Sequence, residues 1–475
     1  MEPRSISPLP PGSANKPLFT IILKFILHQW LLIGFGIGCV LAYYFPGVGK
    51  HGGIIKAEYS VLYGAVALIF LISGLSIPKD KLLRHMMNFR LHLQVQGVSF
   101  LVIPAIMTGL VRLIDATDHA EKIDRAVLAG YVILACLPTT IASNVVMTRA
   151  AGGDEAASLV EVFIANILGP FVTPGWAVAL MPKSSAFDVW KESNGDLQGM
   201  YQSVFKGLGL SVFLPLAVGQ LIRWKWAERT AWAMEIFYLA KLSTACLILV
   251  FWASFSTCFA TGALESLSHE TIAFVTLFNV LFYISLTCVS FIIAYPPSAL
   301  IPEAKSTTTT ASSTTTVVTS KKAKLHSILN AVLTRLIKQT PPLETIAICF
   351  CGPAKTTSLG IPMLYAMYPT IDLHLVAKLT VPVILYTTEQ IFCAHFMVHL
   401  FKKWGKRRQA EWIEKGKRTQ GGRDSPRTGC ENQHTSLSSS EGGIAEGMHG
   451  ALDGHGDTVD VDVERGEKGI GVQVR

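Results

Sequence analysis

Apolar residues fall into blocks of about 20 along this chain, and polar or charged loops separate the blocks. A helix of that length crosses the hydrocarbon layer of a bilayer, so the pattern predicts an all-α polytopic membrane protein. Proline, glycine and hydroxyl residues interrupt the fourth and ninth blocks, which are the weakest. The ten predicted spans lie at 23–45, 59–77, 91–112, 126–147, 156–181, 203–222, 235–257, 271–294, 344–368 and 374–400.

The distribution of Lys and Arg supports ten spans. With a cytoplasmic N-terminus, the cytoplasmic loops and tail carry about three times as many cations as the outer loops, as the positive-inside rule requires. An odd number of spans breaks this alternation, so we expect both termini in the cytoplasm. Eight of these cations follow the last span, namely Lys402, Lys403, Lys406, Arg407, Arg408, Lys415, Lys417 and Arg418.

Composition agrees with a membrane protein. Of 475 residues, 50% are hydrophobic and 16% charged, whereas soluble proteins carry about 25% charged residues. The placement of the +8 net charge fits anionic inner-leaflet lipid rather than a nucleic-acid groove. The nine cysteines show neither C-x-x-C pairs nor His/Cys ligand spacing, so we expect no metal site and no cofactor. HExxH, GxSxG and paired-carboxylate patterns are absent, which argues against an enzyme.

Composition also divides the chain. Residues 1–22 are polar and proline-rich, and we expect a disordered cytoplasmic segment there. The first five spans occupy 23–181 and the second five occupy 203–400. A cytoplasmic insertion rich in Thr and Ser lies at 295–343. Residues 401–475 form a basic and then disordered cytoplasmic tail.

The insertion contains two distinct segments. Residues 306–320 are a low-complexity Thr/Ser run that is expected to be unstructured and is open to phosphorylation. Residues 321–339 place apolar side chains at i, i+3 and i+4 spacing with lysines and an arginine off that stripe. This pattern favours a helix that lies on the inner leaflet or packs on the protein's own cytoplasmic loops.

Two predicted spans carry polar residues at membrane depth, where polar groups are costly and mark functional sites. Proline and glycine break the helix there and free backbone carbonyls. Each is the fourth span in its group of five, so the positions suggest a transporter-type midplane site between inverted repeats. Proline kinks filled by neighbouring helices are the alternative. The fourth span contains Pro138, Thr139, Thr140, Ser143 and Asn144, and the ninth contains Gly352, Pro353, Lys355, Thr356, Thr357, Ser358, Gly360 and Pro362.

Lys355 is the most informative single residue. An ammonium at membrane depth must find an anion, find water or lose its proton. It could bind an anionic substrate, or it could stand as a fixed cation where a relative holds sodium. Glu161 and Glu389 are possible partners, and Glu161 is preferred because the short loop at 148–155 keeps the fifth span beside the fourth.

Four segments carry a family resemblance: FLISGLSIP (70–78), LPTTIASNVVMTRAAGG (137–153), NILGPFVTPGW (166–176) and CGPAKTTSLGIPML (351–364). They resemble the bile acid:sodium symporter superfamily. They look most like its solute carrier family 10 member 7 branch, which includes fungal regulators of calcium homeostasis. The resemblance covers about 23–400. It implies ten helices in two inverted five-helix repeats, with a panel domain and a core domain whose helices 4 and 9 are unwound where they cross.

The resemblance also implies where ions bind in sodium-coupled relatives. Their sodium ions sit on a Ser-Asn pair, which Ser143 and Asn144 match, and on hydroxyls of the fifth helix, where Ser158 matches. A Glu and a Gln of the ninth helix complete the set, and those positions hold Cys351 and Lys355 here. A thiol is too soft for sodium and an ammonium repels it, so we expect sodium binding to be lost or weakened.

The branch resemblance implies restraint of cytosolic calcium influx, either by transport of an unknown solute or through a calcium channel or pump. A secondary transporter of an organic anion, with Lys355 at the substrate site, is the alternative. The expected location is the plasma membrane, with Golgi or secretory membranes as the alternative. The candidate substrate- or ion-binding residues are Ser143, Asn144, Ser158, Glu161, Cys351, Lys355, Thr356 and Thr357, and the helix breakers are Pro138, Gly352, Pro353, Gly360 and Pro362.

Overall fold

A computed structural model describes residues 30–192, 197–297 and 339–421, and this part of the chain contains helices and loops but no β-strand. The expectations for 1–22, for 306–320, for nearly all of the amphipathic stretch and for the end of the tail concern residues outside these ranges. Within them we number fourteen helices. They are α1 (Trp30–Tyr44), α2 (Ala57–Ser76), α3 (Lys79–Met86), α4 (Phe89–Thr117), α5 (Arg125–Cys136), α6 (Ala142–Ala150), α7 (Glu155–Leu180), α8 (Leu197–Lys225), α9 (Ala227–Ile236), α10 (Leu239–Ala260), α11 (His269–Ala294), α12 (Pro342–Cys351), α13 (Thr357–Met367) and α14 (Leu373–Gly421).

Seven of these helices are long and apolar enough to cross a membrane, namely α2, α4, α7, α8, α10, α11 and α14. The prediction of a polytopic helical membrane protein is therefore confirmed. The three other predicted spans coincide with shorter apolar helices. The span predicted at 23–45 coincides with α1. The span predicted at 126–147 is divided into α5 and α6, and the span predicted at 344–368 is divided into α12 and α13.

Side-chain caps fix the start of several helices. Asp124 accepts a hydrogen bond from the Ala126 backbone N–H at 2.8 Å, and its carboxylate also pairs with Lys378 at 2.8 Å. Asp154 caps α7 through the Ala157 N–H at 3.0 Å. Such caps satisfy amide groups that have no partner inside the helix.

Two glycines allow a close contact between α2 and α8. A Cβ atom on Gly219 of α8 would lie 2.3 Å from the Leu71 carbonyl oxygen of α2, and one on Gly74 would lie 2.4 Å from that of Leu216. Small residues let membrane helices approach at backbone distance, so α2 and α8 pack directly against each other. Helix α10 packs along both α1 and α2, while α7 contacts α5, α6 and α12.

The last helix extends beyond the predicted span. The apolar block ends near residue 400, but α14 remains helical through the basic run to Gly421. Π-helical turns interrupt α2 at Ser60–Ala65, α4 at Val98–Val102 and α8 at Gly209–Phe213. Such turns shift the hydrogen-bond pattern and are frequent at functional sites.

Candidate functional site: the meeting point of two broken helices

The two non-helical segments at 137–141 and 352–356 meet inside the protein. The backbone N–H of Thr356 donates to the Pro138 carbonyl at 3.0 Å. A backbone group of one unwound segment is therefore paired directly with a backbone group of the other. Pro138 follows the end of α5, and Gly352 and Pro353 follow the end of α12. Breaking a helix frees backbone groups that cannot remain unpaired in a membrane protein, so their partners define the site.

Side chains of α6 and α7 pair with the first unwound segment and with the end of α5. The Thr173 hydroxyl donates to the Cys136 carbonyl at 2.8 Å. The Asn166 amide donates to the Thr139 carbonyl at 3.2 Å, and the Asn144 amide donates to the Thr139 hydroxyl at 2.6 Å. These bonds hold the backbone extended between α5 and α6.

Helix α14 clamps the second unwound segment. Gln390 accepts from the Lys355 N–H and donates to the Lys355 carbonyl, with both bonds at 2.9 Å. Tyr386 donates to the Pro353 carbonyl at 2.8 Å, and the Thr357 hydroxyl bonds that of Thr387. All these side chains are buried, so water does not compete for the bonds.

The Lys355 ammonium lies in a cage of oxygen atoms. Its Nζ donates to the carbonyls of Ala135, Leu137 and Ser99, each at 2.8 Å, and lies 3.1 Å from the Ser99 hydroxyl. Two of these carbonyls come from the C-terminal end of α5, where the helix dipole is negative. The third comes from the π-helical turn of α4. Lys355 is only 1% exposed, so a full set of acceptors compensates its burial.

The prediction that Glu161 pairs with Lys355 is wrong. Glu161 is fully buried, but its carboxylate contacts His92 and Gln96 of α4 rather than Lys355. Chain proximity places α7 beside α6, whereas the rotation of α7 about its axis decides which helix Glu161 faces. The ammonium is therefore held by backbone dipoles and one hydroxyl rather than by a carboxylate.

The other candidate residues surround this point. The Ser158 hydroxyl lies 3.1 Å from the Cys351 Sγ atom, which joins α7 to the end of α12. The Thr356 and Ser358 hydroxyls lie 3.0 Å apart, and Ser143 is buried on α6. Gly360 allows α13 to approach the first unwound segment, because a Cβ atom there would lie 2.6 Å from the Leu137 side chain. Among the described residues, no cluster of three or more His, Cys, Asp or Glu side chains could hold a metal ion.

Sequence reasoning missed several residues that organise the site. Ser99, Gln390 and Asn166 supply bonds to the unwound segments and the ammonium. Each is a polar residue inside an apolar span, which is the signal that could have identified them. Proline and glycine breakers indicate only the two broken spans, whereas these three residues lie on α4, α7 and α14.

Two cavities border the second halves of the broken helices. One of about 370 Å³ is lined by α2, α8 and α13, and includes Glu58, Lys206 and Tyr365. The other, of about 340 Å³, is lined by α2, α6 and α10, and includes Arg149 and Lys241. Each cavity borders the second half of one broken helix, and both are large enough for a small solute.

Removing the Gln390 clamp should destabilise the protein. Gln390→Leu leaves the Lys355 N–H and carbonyl buried without partners, which we expect to cost about 3 kcal/mol. Thr388→Val is the matched control, because the Thr388 hydroxyl bonds only the Ile384 carbonyl of its own helix. Thermal unfolding in detergent measures both variants. Equal unfolding temperatures for the two variants would contradict the clamp.

The chain thus combines a bundle of membrane-length helices with two broken helices that meet beside a buried cation, which defines a carrier-type membrane protein. The SBF-like CPA transporter family matches residues 29–403, and the chain belongs to that family. Solute carrier RCH1 of Candida albicans is 37% identical over 388 residues, covering 81% of this chain and 90% of that protein. Solute carrier RCH1 of Saccharomyces cerevisiae is 36% identical over 395 residues, covering 81% and 86%.

An animal protein also matches. The Mus musculus sodium/bile acid cotransporter 7 is 26% identical over 391 residues, covering 82% of this chain and 96% of that protein. The resemblance to the bile acid:sodium symporter superfamily and to this branch is therefore confirmed, as is the assignment to membrane solute carriers.

Proposed function

We propose that this carrier restrains calcium influx into the cytosol and does not use sodium as a coupling ion. The proposal that sodium is not the coupling ion rests on the position of the Lys355 ammonium, which fills an oxygen cage where the broken helices meet. The calcium role rests on the resemblance to the branch that includes fungal regulators of calcium homeostasis. Among the described residues, no ring of carboxylates resembles a calcium filter, so the chain acts as a carrier or regulator rather than a channel.

The proposed architecture is two inverted repeats of five spans. The first comprises α1, α2, α4, the α5/α6 pair and α7, and the second comprises α8, α10, α11, the α12/α13 pair and α14. Helices α1, α2, α8 and α10 would form the panel and the others the core. The cavities support this arrangement, because exchanging the repeats exchanges α6 with α13, and each lines one of them. Both termini would lie in the cytoplasm.

The plasma membrane is the proposed location, and a calcium channel or pump is the proposed protein partner. A regulator that acts through such a partner needs its cytoplasmic surfaces. Deleting residues 303–340 should then abolish calcium control while the protein still reaches the membrane. Exposed cations at the end of α14, such as Lys402 and Arg407, are placed to contact anionic inner-leaflet lipid.

Transport of an organic anion is the second candidate, and the α2/α8/α13 cavity favours a modified form of it. Lys355 is buried with its N–H groups engaged, whereas Lys206 is exposed on the wall of the α2/α8/α13 cavity. An anionic solute would thus meet Lys206 first. Lys206→Gln should weaken uptake of such a solute while the unfolding temperature stays unchanged.

The calcium role is tested by cytosolic calcium after an external calcium pulse. Cells that lack the chain should show a larger transient, which the wild-type chain reduces and Lys355→Ala does not. Lys378→Ala is the matched control, because Lys378 pairs with Asp124 away from the meeting point. A transient that is unchanged on deletion would rule out the calcium role and direct the search to solute uptake.

A further inference from the structure

A second buried ionisable group lies close to the meeting point and makes no contact with Lys355. Glu161 of α7 has no exposed surface. Its Oε1 atom lies 2.5 Å from Nδ1 of His92, and its Oε2 atom accepts a hydrogen bond from the Gln96 amide at 2.9 Å. The same amide donates to the Glu161 backbone carbonyl at 3.0 Å. An ionised carboxylate is rarely buried unless such partners compensate it.

The geometry of His92 fixes how many protons the pair holds. Its Nε2 atom lies 3.1 Å from the Met86 carbonyl, which can only accept, so Nε2 carries a hydrogen. The short contact between Nδ1 and Oε1 also needs a hydrogen, whichever atom holds it. The pair is therefore either imidazolium with carboxylate or imidazole with carboxylic acid. Both forms are neutral overall, and both contain one proton more than imidazole with carboxylate.

Loss of that proton would be costly. The Nδ1 lone pair would then face a carboxylate, and a negative charge would be buried with only the Gln96 amide as a donor. The expected response is separation of α4 from α7 or entry of water. Occupancy of this site by a proton is thus linked to the packing of these two helices.

The pair connects the surface with the meeting point. Glu161 lies one helical turn beyond Ser158, which contacts Cys351 at 3.1 Å. The His92 side chain is 14% exposed and lies near the start of α4, beside the end of α3. Gain or loss of a proton at His92 can therefore alter the packing where the broken helices meet.

Other titratable groups on the neighbouring elements face elsewhere. On α3, His85 lies 3.9 Å from Asp154, the cap of α7. At the start of α12, Glu344 accepts from the Asn88 amide at 3.4 Å, and Arg90 of α4 contacts the Gln339 carbonyl. The exception is the Cys351 thiol of α12, which interacts electrostatically with Glu161 and lies 3.1 Å from the Ser158 hydroxyl.

We propose that the His92–Glu161 pair is a proton-binding site and that its proton serves this carrier as the coupling ion in place of sodium. The coupling role rests on the proposed function, whereas the proton-binding site does not depend on it. The proton comes from water and returns to water, and no covalent bond other than N–H or O–H changes.

The site is tested on purified protein in detergent. Because the unfolded imidazole loses its proton near neutral pH while the folded pair keeps it, stability should be greatest in mildly acidic solution and should fall as pH rises further. In strong acid the unfolded carboxylate also takes up a proton, so stability should fall there as well. Glu161→Gln and His92→Gln should flatten this profile, since each keeps a hydrogen-bonding amide but removes one titrating group. In a pH-indicator titration from neutral to alkaline pH, the folded wild-type protein should release one more proton than Glu161→Gln, whose His92 lacks the carboxylate that retains its proton.

His399→Gln is the matched control. The His399 ring contacts one backbone carbonyl of its own helix, so its loss should leave the profile unchanged. Parallel profiles and equal proton release for wild type and Glu161→Gln would overturn the site.

The coupling role has a separate readout. In the calcium-pulse experiment, Glu161→Gln should reach the membrane but fail to reduce the transient, whereas His399→Gln should reduce it. Full activity of Glu161→Gln would overturn coupling. If deletion of the chain leaves the transient unchanged, the calcium function fails while the proton titration still decides the site.

Discussion

Lys355→Ala is expected to abolish activity and to lower the free energy of unfolding by about 3 kcal/mol, because it leaves the carbonyls of Ala135, Leu137 and Ser99 without a donor. Three dipoles that point at one empty volume repel one another inside a low-dielectric interior. Part of the loss is offset, because the ammonium no longer has to be desolvated. The net effect remains large because the cage joins α4, α5 and the second unwound segment.

Chemical rescue distinguishes a tethered cation from a merely space-filling side chain. A small alkylammonium ion, such as methylammonium, carries the same N–H donors and should raise the unfolding temperature of Lys355→Ala. Lys355→Met preserves most of the side-chain volume but supplies no donor, so it should be destabilised and should not respond to methylammonium. Lys378→Ala is the control for nonspecific salt effects. Equal responses of all three variants would contradict the cage.

The second large effect is expected at the contact between α2 and α8. Gly219→Ala places a methyl group about where the Leu71 carbonyl now lies, so the helices must separate. Overpacking of this kind costs about 3 kcal/mol at backbone contacts. Because α2 lines both cavities, the separation should also impair function.

Gly109→Ala is the matched control for this change. Gly109 also lies in an apolar helix, but a Cβ atom there meets no other atom within 4 Å. It should fold at least as stably as wild type, since alanine favours helix over glycine. Thermal unfolding of the two variants in one detergent makes the comparison. An unchanged unfolding temperature for Gly219→Ala would show that α2 and α8 are not in backbone contact.

The helical breaks could be predicted from the sequence only in part. Proline lacks a backbone N–H donor and clashes with the preceding turn, so Pro138 and the Gly352–Pro353 pair favour a break. The prediction that Pro362 also breaks a helix is wrong, because it lies inside α13, as Pro170 and Pro174 lie inside α7. The partners of the freed groups could not be predicted in the same way. The Lys355 ammonium binds backbone carbonyls, and every residue has one, so no residue type marks the acceptors.

The rotation of α7 about its axis and the length of α14 could likewise not be predicted from sequence patterns. Glu161 lies on a span with polar residues on more than one face, and only packing shows that it faces His92 of α4. The end of α14 was underestimated because hydropathy measures the bilayer-spanning part of a helix. Residues 401–421 are rich in Lys, Arg, Gln and Glu, which favour helix in water and extend α14 beyond the apolar block.

We propose that a lysine side chain takes the place of a sodium ion in this carrier. The most direct measurement is thermal unfolding of the purified wild-type protein in matched sodium and potassium chloride, at equal ionic strength and pH. A bound ion present at 100 times its Kd stabilises a folded protein by about 2.7 kcal/mol, so specific binding would be visible. We expect the same unfolding temperature in both salts. Stabilisation by sodium that potassium does not reproduce would contradict it.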